Sequence, residues 1–225
     1  MDETKLMPKT TEGEVVECEM SNEELIPQLS LAARFTKRTL DIILSIIGLT
    51  VFSPIFIIVY IAIKLEDGGK VIFRQERIGF HGDTFTLYKL RSMTETSESN
   101  GKPQLCQKHD HRLTKVGSFL RSHHLDEIPQ FWNVLKGDMS FVGPRPERKF
   151  FVDQIKAINP DYEKLYLLRP GLFSEATLYN GYTDTMAKML KRLSMDLHYL
   201  YHRSLWLDMK IIYLTAMSII TGKKF

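Results

Sequence analysis

Cysteine is almost missing from this sequence: Cys18 and Cys106 are the only two among 225 residues. Two thiols make no disulfide framework, and a reducing compartment is the default. The first thirty residues lack the basic-then-apolar order of a secretory leader and are acidic and polar instead. Neither common glycine-rich phosphate cradle occurs, and there is no Gly-x-Ser-x-Gly elbow. Kinase, P-loop and serine-hydrolase chemistries are therefore disfavoured. His109-x-His111 and His198-x-x-x-His202 come without the Glu of a zinc hydrolase or a nearby cysteine set, which disfavours zinc.

One further absence is more informative. From Ile42 to Ile63 no residue carries a charge. As a helix this run would be about 33 Å long, enough for a bilayer core. Two details argue against a simple span. Ser53-Pro54 falls in the middle, where proline removes a backbone donor and bends a helix. Both flanks are also basic, with Arg34, Lys37 and Arg38 before the run and Lys64, Lys70, Arg74 and Arg77 after it. Positive charge marks the cytoplasmic side of a membrane. Equal marking predicts that both ends stay there, with a helix that enters one leaflet, breaks at Ser53-Pro54 and returns. The Ser53 hydroxyl is the expected partner for the backbone group that Pro54 frees. A straight, kinked span is the alternative.

Charge is distributed unevenly elsewhere. Residues 1–30 hold eight acids against Lys5 and Lys9, about −6, while the whole chain is +3. The remainder, at about +9, should prefer phosphates or anionic lipid. The sequence accordingly divides into an acidic, weakly ordered tail (1–33), a re-entrant membrane helix (34–66) and a cytoplasmic-face domain (67–225) continuous with that helix.

Beyond the apolar run the period changes. Val71–Gln75 and Thr84–Leu90 are short and rich in β-branched and aromatic residues, and Gly79–Asp83 between them is turn chemistry, so a β-hairpin is predicted. Residues 94–110 read as a polar loop. Helical spacing follows from about Leu113 to Ser122, Phe150 to Ile158, Thr183 to Tyr201 and Leu205 to Ile220. The last is apolar but carries Asp208 and Lys210, which suits a helix lying at a membrane surface; a core helix is the competing reading. The fold class is thus α+β and mainly helical: a re-entrant hairpin, a small antiparallel sheet and interfacial amphipathic helices.

The chemistry concentrates between Arg121 and Glu147. Ile128, Phe131, Trp132 and Leu135 form an apolar stripe, Pro129 fits only a first helical turn, and Gly137 suits the position just past the end. A helix starting near Asp126 would favour an ionised carboxylate and a phosphate at its N-terminus. Neighbours on a helix point about 100° apart, so Asp126 and Glu127 are expected to do different jobs, one attacking and one holding a metal. The plainer reading of Asp126 is a helix cap. Gly143-Pro144-Arg145-Pro146 is a stiff turn suited to holding one guanidinium for a phosphate, or simply a turn. Arg121, Lys89 and Arg91 are further cations near these elements. Mg²⁺ matches adjacent carboxylates better than zinc does.

These residues resemble a known family. Lys37-Arg38-x-x-Asp41, Phe52-Ser53-Pro54, Phe73-x-Gln75-Glu76-Arg77-x-Gly79, Tyr88-Lys89-Leu-Arg-Ser-Met93, Leu125-Asp-Glu-Ile-Pro129 and Leu135-Lys-Gly-Asp-Met-Ser-Phe-Val-Gly-Pro-Arg-Pro146 are similar to motifs of the bacterial polyprenyl-phosphate sugar-phosphate transferases, the monotopic phosphoglycosyl transferases. The likeness runs in unbroken order over roughly residues 35–222, and the length resembles the small members with a catalytic domain alone. The resemblance implies that Asp126 attacks the sugar-bearing phosphate of a UDP-sugar, releases UMP and passes the phosphosugar to undecaprenyl phosphate. It implies Mg²⁺ on Glu127, and substrate contacts from Lys89, Arg121, Arg145 and Asp196. Ser53-Pro54 would be the break in the membrane helix. The expected setting is the cytoplasmic leaflet of the inner membrane, at the first membrane step of capsule, exopolysaccharide or glycoprotein glycan synthesis. No nucleic acid is expected, and a homo-oligomer is left open. One segment departs: after Arg169-Pro-Gly171 the family continues Gly-Trp-Ala-Gln, whereas residues 172–182 here read Leu-Phe-Ser-Glu-Ala-Thr-Leu-Tyr-Asn-Gly-Tyr. That departure keeps open a rival reading, a membrane-anchored scaffold that recruits glycan-assembly enzymes.

Overall fold

The apolar run lies inside one 37-residue helix, α1 (Leu31–Asp67), which stays helical through Ser53–Pro54, where a break was expected, in a computed structural model that describes residues 29–94, 104–105, 110–181 and 183–221. The acidic tail through residue 28, Cys18, Cys106, His109, Tyr182 and most of the polar loop after Met93 lie outside the described residues. Helix α1 starts where Ser30 Oγ accepts the Ala33 N–H at 3.2 Å, an ordinary serine cap. Pro54 sits inside it and has no N–H to offer the Thr50 carbonyl. Ser53 Oγ donates to that carbonyl instead, at 2.8 Å, as the sequence led us to expect. Among the described residues this is the one helix long and apolar enough to cross a membrane. Its outer surface is greasy: Ile43, Ile46, Ile47, Val51, Ile57, Ile58 and Ile61 are all exposed.

Both ends of α1 grip the same body. Near its start, Arg38 donates to the Val134 and Leu135 carbonyls at 2.7 and 2.8 Å, closing the C-terminus of α3 (Gln130–Lys136). Asp41 is buried and accepts from Ser140 Oγ and the Phe141 N–H at 3.2 and 3.0 Å, while Lys37 pairs with Asp208 at 2.5 Å. Near its end, Glu66 accepts the Lys115 N–H at 2.8 Å at the head of α2 (Lys115–Ser122), and Asp67 pairs with Arg91. Val59 and Ile63 pack there with Val71, Leu90 and Leu120.

The predicted hairpin is present: β1 (Ile72–Ile78) and β2 (Thr84–Leu90) are antiparallel, in register from Ile72↔Leu90 to Ile78↔Thr84. A second pairing was not anticipated. β3 (Ser140–Val142) and β4 (Gly171–Phe173) run parallel, three residues each, too short to leave an alternation in the sequence. Together with α5 (Glu175–Tyr179), β4 contains most of the departing segment. Leu172 and Leu178 there join a core shared with Val134, Met139, Phe141 and Ile211. Helices α4 (Lys149–Ile158) and α6 (Met186–His202) build a further core around Val152, Ile155, Met189 and Leu193, and α7 (Leu205–Thr221) closes the described chain. Trp206 and Tyr213 stand out from α7, 79% and 63% exposed.

Candidate active site

The Asp126–Glu127 pair sits on a tighter turn than expected. Residues Leu125–Glu127 form a single 3₁₀ turn after His124, whose φ of 55° reverses the chain, and α3 begins only at Gln130. The cause is Pro129. It has no N–H for the Leu125 carbonyl, so that carbonyl takes the Ile128 N–H (3.3 Å) in the i→i−3 pattern. Gly137, with φ 101°, ends α3 as predicted. The buried face of α3 is also shifted: Gln130, Asn133 and Val134 are buried, and Trp132 from the proposed stripe is 53% exposed.

Two cations meet one carboxylate oxygen. Glu127 Oε1 accepts from Lys89 Nζ at 2.7 Å and from Arg145 at 3.2 Å. Asp126, 5% exposed, is only 4.0 Å from Lys89. The two acids therefore differ electrically. Burial disfavours the Glu127 charge, but Lys89 and Arg145 outweigh it and hold the carboxyl well below the ordinary range. Asp126 goes the other way: burial pushes it up, Lys89 offsets part of this, and the Glu127 charge adds to it.

Lys89 is aimed by β2, and β2 is bolted to α3 by Asn133. The Asn133 amide accepts the Tyr88 N–H at 3.1 Å and donates to the Thr86 carbonyl at 2.7 Å. Asn133 has no local signature in the sequence; its complete burial is set by the fold. Arg121 stands beside the pair, its Nε donating to Ser92 Oγ at 3.0 Å, and its charge favours ionised Asp126. Asp196 is elsewhere: 3% exposed on α6, it receives the Arg145 backbone N–H, and its Oδ1 has no hydrogen-bond partner. Burial, partly offset by Arg192, pushes its carboxyl up to about 8. Ser53 and Pro54 remain in α1, away from this cluster's hydrogen bonds.

Hard oxygen donors at Asp126 and Glu127 fit a divalent ion shared with substrate phosphates, where one or two carboxylates suffice. They do not make a cage. Among the described residues no three His, Cys, Asp or Glu side chains converge as a metal site, and Glu127 Oε1 already faces two cations. The cluster can therefore grip a diphosphate with Lys89, Arg145 and Arg121 while presenting one under-compensated carboxylate.

Residues 32–222 match the family model described as bacterial sugar transferase. A UDP-N-acetylgalactosamine-undecaprenyl-phosphate N-acetylgalactosaminephosphotransferase of Aeromonas hydrophila is 42% identical over 188 residues, 84% of this chain and 44% of that protein. A UDP-glucose:undecaprenyl-phosphate glucose-1-phosphate transferase of Klebsiella pneumoniae is 45% identical over 182 residues, covering 80% and 39%. One of the same name from Caulobacter vibrioides is 39% identical over 197 residues, covering 87% and 73%. The chain thus spans about two fifths of the first two relatives.

Proposed function

The chain belongs to the bacterial sugar transferase family, and from that premise we propose that it moves a sugar 1-phosphate from a UDP-sugar to undecaprenyl phosphate, releasing UMP. The observation that carries this reading is the unequal pair: Glu127 takes Lys89 at 2.7 Å and Arg145 at 3.2 Å, while Asp126 beside it has Lys89 only at 4.0 Å. A carboxylate that burial and a neighbouring charge destabilise is the more nucleophilic of two.

In the first half-reaction an Asp126 carboxylate oxygen attacks the phosphorus that bears the sugar. The P–O bond to UMP breaks, UMP leaves with that electron pair, and a phosphosugar remains on Asp126. In the second, a phosphate oxygen of undecaprenyl phosphate attacks the same phosphorus and Asp126 departs as carboxylate. Lys89, Arg145 and Arg121 offset the charge that builds on the transferred oxygens. Glu127 would hold Mg²⁺ together with the substrate phosphates, and the ion when bound supplies further charge neutralisation.

The lipid acceptor requires the site to meet a membrane from one side. We read α1 as re-entrant and α7 as interfacial, with the domain at the cytoplasmic leaflet. The grip of both α1 ends on one body supports this, as do the exposed isoleucines between them and Trp206 and Tyr213 on α7. The product would be the first lipid-linked sugar of capsule, exopolysaccharide or glycoprotein glycan assembly.

The test is UMP release from purified protein with UDP-hexoses, Mg²⁺ and undecaprenyl phosphate. Release should fall roughly 10³-fold or more in Asp126→Asn, the scale of losing a nucleophile. Without acceptor, the wild-type peptide containing Asp126 should gain the mass of the phosphosugar. No UMP with any sugar, or undiminished release from Asp126→Asn, sinks the proposal.

A further inference from the structure

Arg145 lies between two prolines, and the backbone around it is tied at every step. The Pro144 carbonyl accepts the Gly171 N–H at 2.8 Å, and the Arg145 N–H goes to Asp196. The Pro146 carbonyl accepts from Arg77 at 3.1 Å, and the Glu147 carbonyl accepts the Ile78 N–H at 3.0 Å. Behind this turn is a set of charges the reaction does not use. Glu147 Oε2 meets Arg77 of β1 at 3.2 Å, and Glu147 Oε1 meets Arg192 of α6 at 2.8 Å. Glu147 and Arg192 are 7% and 8% exposed, so both are largely shielded from solvent.

We infer that Glu147 is a positioning residue for the proposed transfer: by holding Arg77 and Arg192 together it fixes the turn that aims Arg145 at Glu127. The inference rests on the reading of Asp126, Glu127 and Arg145 given above. Stability alone does not account for the triad, because buried ion groups of this kind are often replaceable by apolar residues at no cost. Geometry does. Arg77 and Lys89 belong to one hairpin, opposite Phe85 and Phe73 respectively. Lys89 reaches Glu127 Oε1 directly, and Arg145 reaches the same oxygen through a turn that Glu147 ties to Arg77. Both cations on that oxygen are thus referenced to one strand pair. With the Glu147 charge removed, Arg77 and Arg192 would repel each other, and Arg145 and Arg148 nearby would add to the strain.

The experiment is a double-mutant cycle. Glu147→Gln should lower UMP release roughly 10- to 100-fold, the effect of displacing a positioned group by about 1 Å. In an Arg145→Ala background the same change should cost nothing more. Equal losses in both backgrounds would mean a general structural role and overturn the inference. Hydrogen–deuterium exchange is the arm that does not depend on activity. The Arg145 amide should exchange faster in Glu147→Gln while β2 and α3 are unchanged, and unchanged exchange at Arg145 also overturns it. If the wild type releases no UMP, the functional reading fails, while exchange still decides the positioning role. Should Glu147→Gln not fold, Glu147→Gln/Arg192→Met removes one charge of each sign and is put through the same two measurements.

Discussion

Two neighbouring carboxyls with opposite displacements make the site's pH behaviour specific. Glu127 is held below the ordinary range by Lys89 and Arg145 against its burial, so on acidification it keeps its charge longest. Burial raises Asp126, so it takes up a proton first. If Asp126 must be ionised to attack, activity should fall on the acid side with a midpoint above the ordinary Asp value of 3.8. Lys89 lowers the Asp126 pKa, so Lys89→Met should move that midpoint to higher pH. A kcat/KM profile of UMP release checks this, and a midpoint that stays put or moves down contradicts it. Asp126, Glu127 and Arg145 stand out in the sequence because adjacent acids and a proline-locked arginine are local patterns, whereas Lys89 is marked only by the family resemblance. Asn133 and Glu147 do not stand out. Their partners Thr86, Tyr88, Arg77 and Arg192 lie 45 to 70 positions away, and no local pattern announces such pairings.

Among the elements, those with a long period were the easiest to read. Helices α4, α6 and α7 and the β1–β2 hairpin lie close to where spacing put them. The parallel β3–β4 pair was invisible because three residues hold no period. The start of α3 was misread because proline at a first turn and proline after a 3₁₀ turn look alike in sequence. Helix α2 gives a sharp prediction. A Cβ on Gly117 would fall 2.0 Å from the Ser92 carbonyl oxygen, since α2 lies directly on the chain leading from Lys89 to Arg121's partner. Alanine would gain about 1 kcal/mol of helix propensity, but backbone overlap of this depth costs more. Gly117→Ala should therefore destabilise by about 1–3 kcal/mol net and lower Tm, read by thermal unfolding. A higher Tm would show that α2 can lift away from Ser92.

For the molecule as a whole, the question is which side of the membrane each end of α1 occupies. The clamp residues Lys37, Arg38 and Asp41 at one end and Glu66 and Asp67 at the other all hold the domain. The basic flanks hinted at this arrangement, but the clamps themselves are tertiary and have no signature in the apolar run. With Cys18 and Cys106 replaced by serine, single cysteines at Ala32 and Lys70 should both react with an impermeant maleimide from the cytoplasmic face. Reaction from opposite faces would refute the re-entrant reading.

A helix held at both ends by one body has a further property on that reading. A crossing helix must match its apolar length to the lipid it meets, and it tilts or thins the bilayer when it fails. Helix α1 would have no far interface to match. The enzyme would float like a hull, its draught set by its own clamps. Bilayer thickness would then drop out as a variable, and the height of Asp126 above the lipid phosphates would be the same in every membrane the protein enters.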